Sequence, residues 1–192
     1  MDCMYKNKHF FEDELQGENF ENIDFNHCIF LDADLKLSCF KSCKFKDCDF
    51  SGALLGMVFF DKCNFAGCKL SNLNFFEVDF KLCVFDSSLI KNSIFQTYKI
   101  GSKNVKAVLK LKKTIFTACD LSDSVFSKCD LSEASFENSV LKKTCFEDCN
   151  LTKANLSGAK IAGASFTQSK IDQTRIDING IISFGVSKGF IL

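Results

Sequence analysis

The 192 residues include no proline. Every position therefore keeps its backbone N–H, which suits a fold whose strands are all central in their stack. The chain also lacks net charge, with 24 Lys and Arg against 24 Asp and Glu. It has no bulk basic field to hold phosphates, so direct binding of nucleic acid is not expected. No run of about eighteen apolar residues occurs, so no membrane span is expected. The opening MDCMYKNKHF has no apolar stretch of the secretory kind, and the expected compartment is the cytoplasm. There the twelve cysteines read as reduced thiols packed as small hydrophobes, not as a disulfide frame. Histidine is scarce, with only His9 and His27, and the cysteines recur at gaps of five residues instead of the two that zinc sites use. No metal and no cofactor is expected.

Against these absences stands one strong regularity. Every fifth residue from Phe10 to Val105 is apolar, including Phe20, Phe25, Phe40, Phe45, Phe60, Phe65, Phe80 and Phe85. The phase then slips by one residue within VKAVLKL and resumes from Leu111 to Ile176. With 46% of residues apolar on average, such a run by chance is vanishingly improbable. Two places before these centres the residues are small. Nine of the twelve cysteines are there: Cys28, Cys43, Cys48, Cys63, Cys68, Cys83, Cys119, Cys129 and Cys149. Asp or Asn often precedes the centre, and such side chains suit turns.

A period of five fits neither a helix nor an ordinary strand. It fits a chain that turns a quarter circle every five residues, so that four pentads close a square coil and residue n lies above residue n−20. The centres fill the axis, and the small residues fit the corners. Two ladders follow: Phe20, Phe40, Phe60, Phe80 and Ile100, then Phe25, Phe45, Phe65, Phe85 and Val105. At ~4.8 Å per coil the repeat predicts roughly eight coils. The slip reads as one extra residue near 106–110, a bulge in one coil.

The stretches CDFSG, CNFAG, CDLSD, CDLSE, CNLTK and ANLSG resemble the motif of the pentapeptide-repeat proteins. That resemblance implies an all-β, right-handed quadrilateral β-helix. Gly17 to Leu35 is similar to the opening of Qnr-type quinolone-resistance proteins; those typically carry loops projecting from the coils, whereas here none is expected beyond the one-residue slip. Those relatives bind DNA gyrase or topoisomerase IV, protect it from inhibitors, and dimerise through a C-terminal helix. The resemblance implies a DNA-mimicking partner surface, for which Glu21, Asp24, Asp34, Asp49 and Asp79 are the candidates. It also implies a homodimer through the C-terminus, with Ile178, Ile181, Ile182, Phe184, Val186 and Phe190 as the interface. The expected organisation is an N-terminal cap over residues 1–15, a single β-helix over 16–176, and a cap or dimerisation segment over 177–192. In the last of these, Asp177 caps a short helix that stops at Gly185.

The charge runs unevenly along the chain. Residues 1–50 hold eleven acids against six bases, a net of −5, and residues 151–192 hold two acids against five bases, a net of +3. A neutral rod with one acidic and one basic end and no projecting loops leaves a second reading open, a structural or scaffolding solenoid for an unrelated protein partner. The acidic group from Glu12 to Asp24 also reads as a solvated cap, and Lys103, Lys106, Lys110, Lys112 and Lys113 as a soluble bulge. A Cys28/His27 nucleophile requires an accessible thiol, whereas Cys28 should point inward. No catalytic residue is assigned and no enzyme activity is expected.

Overall fold

Parallel pairing at a spacing of twenty residues organises the chain. A computed structural model describes residues 4–97 and 108–191. Met4–Lys6 pairs with Asp24–Asn26, which pairs with Lys44–Lys46, in register throughout. Single bridges continue that wall through Asn64, Val84, Ile115, Ser135 and Asn155 to Arg175. Three further walls are built alike, and among the described residues the coil makes about seven turns. The fold is the expected quadrilateral β-solenoid with a single short C-terminal helix.

The columns explain why phenylalanine recurs. Phe25, Phe45, Phe65 and Phe85 stack along the axis with ring centroids 4.8–4.9 Å apart and planes within 9° of parallel. Backbone hydrogen bonding fixes the rise per coil, and parallel rings offset along the axis fit that rise. Between walls the rings meet edge to face, as Phe60 does with Phe65 at 5.1 Å and 79°. Both ring arrangements suit the aromatic quadrupole, so each ring serves two directions at once.

The turn at each corner is made two residues after the centre. There the backbone enters the left-handed region, with φ +64° at Leu37, +53° at Met57 and +55° at Lys62. Asp or Asn before the centre supports the turn by accepting from the amide two residues on. Asp49 accepts from Ser51 at 3.0 Å, Asn64 from Ala66 at 3.0 Å and Asn150 from Thr152 at 3.1 Å.

The inward corner residues have a role beyond fitting the space. Their thiols and hydroxyls donate to the carbonyl of a pentad centre in the preceding coil. Cys48 donates to Phe25 (3.3 Å), Cys63 to Phe40 (3.3 Å), Cys68 to Phe45 (3.2 Å) and Cys149 to Phe126 (3.3 Å). Ser38, Ser93, Ser124 and Thr144 do the same for Leu15, Leu70, Ile90 and Leu121.

The structure changes three expectations. The solenoid starts earlier than a cap over 1–15 would allow, because Tyr5 stacks on Phe25 at 5.3 Å and Phe10 on Phe30 at 4.9 Å. The phase slip is larger than one residue. Phe95 stacks on Phe126 and Phe85 on Phe116, a step of thirty-one residues where every other coil takes twenty. Twenty resumes at Leu109, which pairs with Cys129, so eleven extra residues lie between Gln96 and Leu109. Most of them, with the expected ladder members Ile100 and Val105, lie outside the described residues. Finally, the helix α1 (Ile178–Ser187) runs through Gly185, and the left-handed residue past its end is Gly189, φ +92°.

Candidate interaction surfaces

Inward side chains are committed to the columns, so a partner meets only four walls, the corners and the two ends. Residues just before and after each centre face outward, and those twenty apart sit side by side on neighbouring coils. On this grid lysines answer the acids. Lys44 meets Asp24 (3.3 Å), Lys69 meets Asp49 (3.1 Å), Lys81 meets Asp61 (3.6 Å) and, across the insert, Lys91 meets Asp120 (3.1 Å). Glu133 takes Lys112 at 3.2 Å and Lys113 at 3.5 Å. Each such pair contributes little stability, but together they cancel charge along the walls.

The carboxylates respond accordingly. Partial burial pushes Asp49 up, but the Ser51 hydroxyl and amide and the Lys69 ammonium outweigh it and hold the group below the usual range. Asp120 is lowered in the same way by Ser122 and Lys91. Glu133 is lowered first by its bond from Lys112.

The five candidate partner-binding acids are not brought together. Glu21 and Asp79 flank the Phe20–Phe80 column, Asp24 the Phe25 column, Asp49 the column of Phe50, and Asp34 that of Leu35, one column for each wall. Asp24, Asp34 and Asp49 each carry a lysine, Lys36 serving Asp34 at 3.1 Å. In the N-terminal acidic group, Glu14 pairs with Lys8 at 3.4 Å. Lys103 and Lys106 lie outside the described residues.

At Cys28, Cys83 and Cys119 burial suppresses thiol chemistry. Cys28 is fully buried and directs its hydrogen to the Tyr5 and Asn26 carbonyls at 3.5 and 3.6 Å, so it is not available to His27. His27 instead approaches Asp47 at 4.0 Å. Burial pushes the thiols of Cys83 and Cys119 up to about 12, which keeps them protonated and unreactive. Among the described residues, no group of three or more His, Cys, Asp or Glu is placed to hold a metal ion. No described helix is long and apolar enough to cross a membrane.

Among the described residues, two features break the regular surface. Where the insert leaves and rejoins the coil, a cleft of about 500 Å3 is lined by Met57, Phe59, Glu77, Asp79, Val108 and Lys110. The one-residue slip gave no sign of it. At the other end, α1 lies against the last coil. Asp177 caps it by accepting from Gly180 at 2.7 Å and also holds the Gly158 amide, and these bonds lower its carboxyl. Gly180 is required by the close approach, since a Cβ there would lie 2.9 Å from Ile176 Cγ1.

The six candidate interface residues divide. Ile178, Ile182 and Val186, four apart on one stripe of α1, are 67%, 39% and 54% exposed. Phe190, beyond the helix, is 70% exposed. Ile181, also exposed, and Phe184, half-buried, line a solvent-open apolar groove of about 270 Å3 between α1 and the last coils.

Comparison with known proteins agrees with this geometry. A family model described as pentapeptide repeat region matches residues 109–176, and one described as pentapeptide repeats (8 copies) matches residues 43–81. None of the curated proteins matches. Among solved structures the chain is similar to a trypsin-treated form of QnrB1, a plasmid-mediated fluoroquinolone resistance protein. The TM-score is 0.59 at 19% identity, covering 100% of this chain and 97% of that one. Full-length QnrB1 gives 0.52 at 18% identity, covering 98% of each chain. HetL, from the cyanobacterium Nostoc sp. strain PCC 7120 and involved in heterocyst differentiation regulation, gives 0.45 at 19%, covering 89% and 86%.

Proposed function

Because the chain belongs to the pentapeptide-repeat family, we propose that it is a non-enzymatic protein that binds a type II topoisomerase, DNA gyrase or topoisomerase IV. Binding modulates the topoisomerase or protects it from inhibitors such as quinolones. The observation that carries this reading is end-to-end superposition on QnrB1, joined to an insert that interrupts one coil. Loops projecting from the coils are what the Qnr resemblance implies, and an insert of eleven residues is long enough to be one.

The manner of binding follows from the walls. A duplex mimic needs a continuous strip of uncompensated acids, whereas here the candidate acids are spread over four walls and three are matched by lysines. The rod then docks through its shape and insert more than through its field, and its affinity should depend weakly on salt. A second reading, a scaffold for an unrelated protein, draws on the same lysine pairing. In either case the stripe of Ile178, Ile182 and Val186 offers a homodimer contact, which sedimentation measures directly.

Gyrase supercoiling in the presence of ciprofloxacin decides between the two. Added protein restores supercoiling if the topoisomerase is the partner. No restoration at any concentration leaves the scaffold.

A further inference from the structure

The wall built on Phe10, Phe30 and Phe50 carries its unpaired charges at its two ends. Single bridges run down it from His9 to Lys160 in eight rungs, so its outward residues form straight columns. In the middle rungs Lys69 pairs with Asp49 and Lys91 with Asp120, each at 3.1 Å. The ends have no such pairing. Glu12 and Asp32 occupy the first two rungs and Lys142, Lys143 and Lys160 the last two, all exposed, and none of the five is ion-paired with a described residue. Apolar groups follow the same polarity. Phe11, Ile29 and Leu31 are 55%, 40% and 46% exposed on the acidic rungs, while the smaller Val140, Ala162 and Gly163 stand on the basic ones. The insert leaves the coil between Gln96 and Leu109, at a corner that this wall does not share.

We infer that this wall pairs with the same wall of a second copy, side by side and antiparallel. A two-fold axis across the rod, between the rungs of Lys69 and Leu89, lays the first rung on the eighth and the second on the seventh, with each column meeting itself. Asp32 then faces Lys143, and Leu31 lies along the stem of Lys142. Ile29 meets Val140, and the Phe11 ring covers Ala162 beside Gly163. Glu12 sits one rung from Lys143, and the remaining acid, Asp123, meets the bare Gly52. Parallel pairing would instead set Glu12 and Asp32 against their own copies and the lysines against theirs, which is repulsive. An isologous interface needs one patch that is complementary to itself, and here both signs of charge and both sizes of side chain stand at equal distances from the axis. A partner of one charge sign would satisfy only one end. The stripe of Ile178, Ile182 and Val186 lies at the end of the rod and is a separate contact.

Sedimentation of the full chain tests this pairing with no topoisomerase present, so its failure is separate from failure of the topoisomerase reading. Every sample carries Ile182→Asp, which removes the α1 stripe as a competing contact. That chain should dimerise at low salt, and the dimer should weaken as NaCl rises from about 0.05 to about 0.5 M. Glu12→Lys with Asp32→Lys makes both ends of the wall basic, and Lys142→Glu with Lys143→Glu makes both acidic. Each double variant should raise the dimer Kd at least about tenfold. Mixed in equal amounts, the two should form a 1:1 heterodimer with a Kd close to that of the unaltered charge pattern, since each end then meets its opposite. Lysine and glutamate already stand at left-handed corners, as at Lys113 and Glu133, so the variants should fold, and the mixture reports only on chains that do. The proposal is overturned if the Ile182→Asp chain stays monomeric at every concentration, if either double variant dimerises as before, or if the mixture forms no heterodimer.

Discussion

The two halves of the rod solve the same packing problem with different side chains. Up to Phe80 each complete coil places three rings and one aliphatic group around the axis. Phe25, Phe30 and Phe40 accompany Leu35, and Phe45, Phe50 and Phe60 accompany Leu55. One coil later Leu70 takes the place of a ring on one wall while Phe75 takes the place of a leucine on the next. Past the insert two rings face two aliphatics, as Phe116 and Phe126 do with Leu121 and Leu131. Among the described residues no coil holds four rings. The lumen has a fixed volume set by the backbone square, and substitutions along one column are compensated on another. Toward the C-terminus the compensation ends, the corners turn to Ala154, Ala159 and Ala164, and the space left over is the groove under α1.

This contrast can be broken most severely in the ring-rich half. Phe65 touches the rings of Phe45, Phe50, Phe60, Phe80 and Phe85, so Phe65→Ala should cost about 3–5 kcal/mol in a denaturant melt. Overfilling comes next. Leu70→Phe would put four rings in one coil and should cost about 1–3 kcal/mol, whereas adding Phe75→Leu to it should bring the loss below about 1.5 kcal/mol. A double-mutant cycle measures that rescue, and additive losses would mean that the lumen is not a shared volume.

Corner donors are the next smaller effect. Ser124→Ala leaves the buried Ile90 carbonyl without its donor and should cost about 1 kcal/mol by the same melt. Acid should act through the walls. Asp49 and Asp120 titrate below their unfolded values, so their stabilisation is complete above the unfolded carboxylate range near pH 4 and is lost as pH falls through the folded values. Melting temperature should therefore hold from pH 7 to about pH 5 and then drop, with Asp49→Asn showing a shallower drop. The smallest effect is expected at the outer corner. Lys62→Ala exchanges one left-handed residue for another and should stay within about 0.5 kcal/mol.

Much of this architecture is written in the period of five, because one centre in five must be apolar whichever wall it fills. The corner donors are hidden when Cys, Ser and Thr are treated as merely small. Their excess over alanine before the centres of the first half is the signal that marks them. Numbering modulo twenty separates Asp24, Asp34, Asp49 and Asp79 onto four walls, so their dispersal is legible in the residue numbers alone. The insert is masked by arithmetic. Eleven residues shift a pentad phase by one, and Ile100 and Val105 are apolar and in phase, so an eleven-residue insert reads as a one-residue bulge. The lysine pairing of the acids depends on side chains crossing between coils, which the period alone does not report.

The step of thirty-one residues between Phe95 and Phe126 is the claim on which the insert, its cleft and the topoisomerase reading all rest. Ring-to-ring nuclear Overhauser contacts in a phenylalanine-labelled sample measure it directly. The account predicts stacked contacts of Phe85 with Phe116 and of Phe95 with Phe126, at centroid separations of 5.1 and 4.5 Å. Contacts from Phe85 to Val105 with none to Phe116 would contradict it.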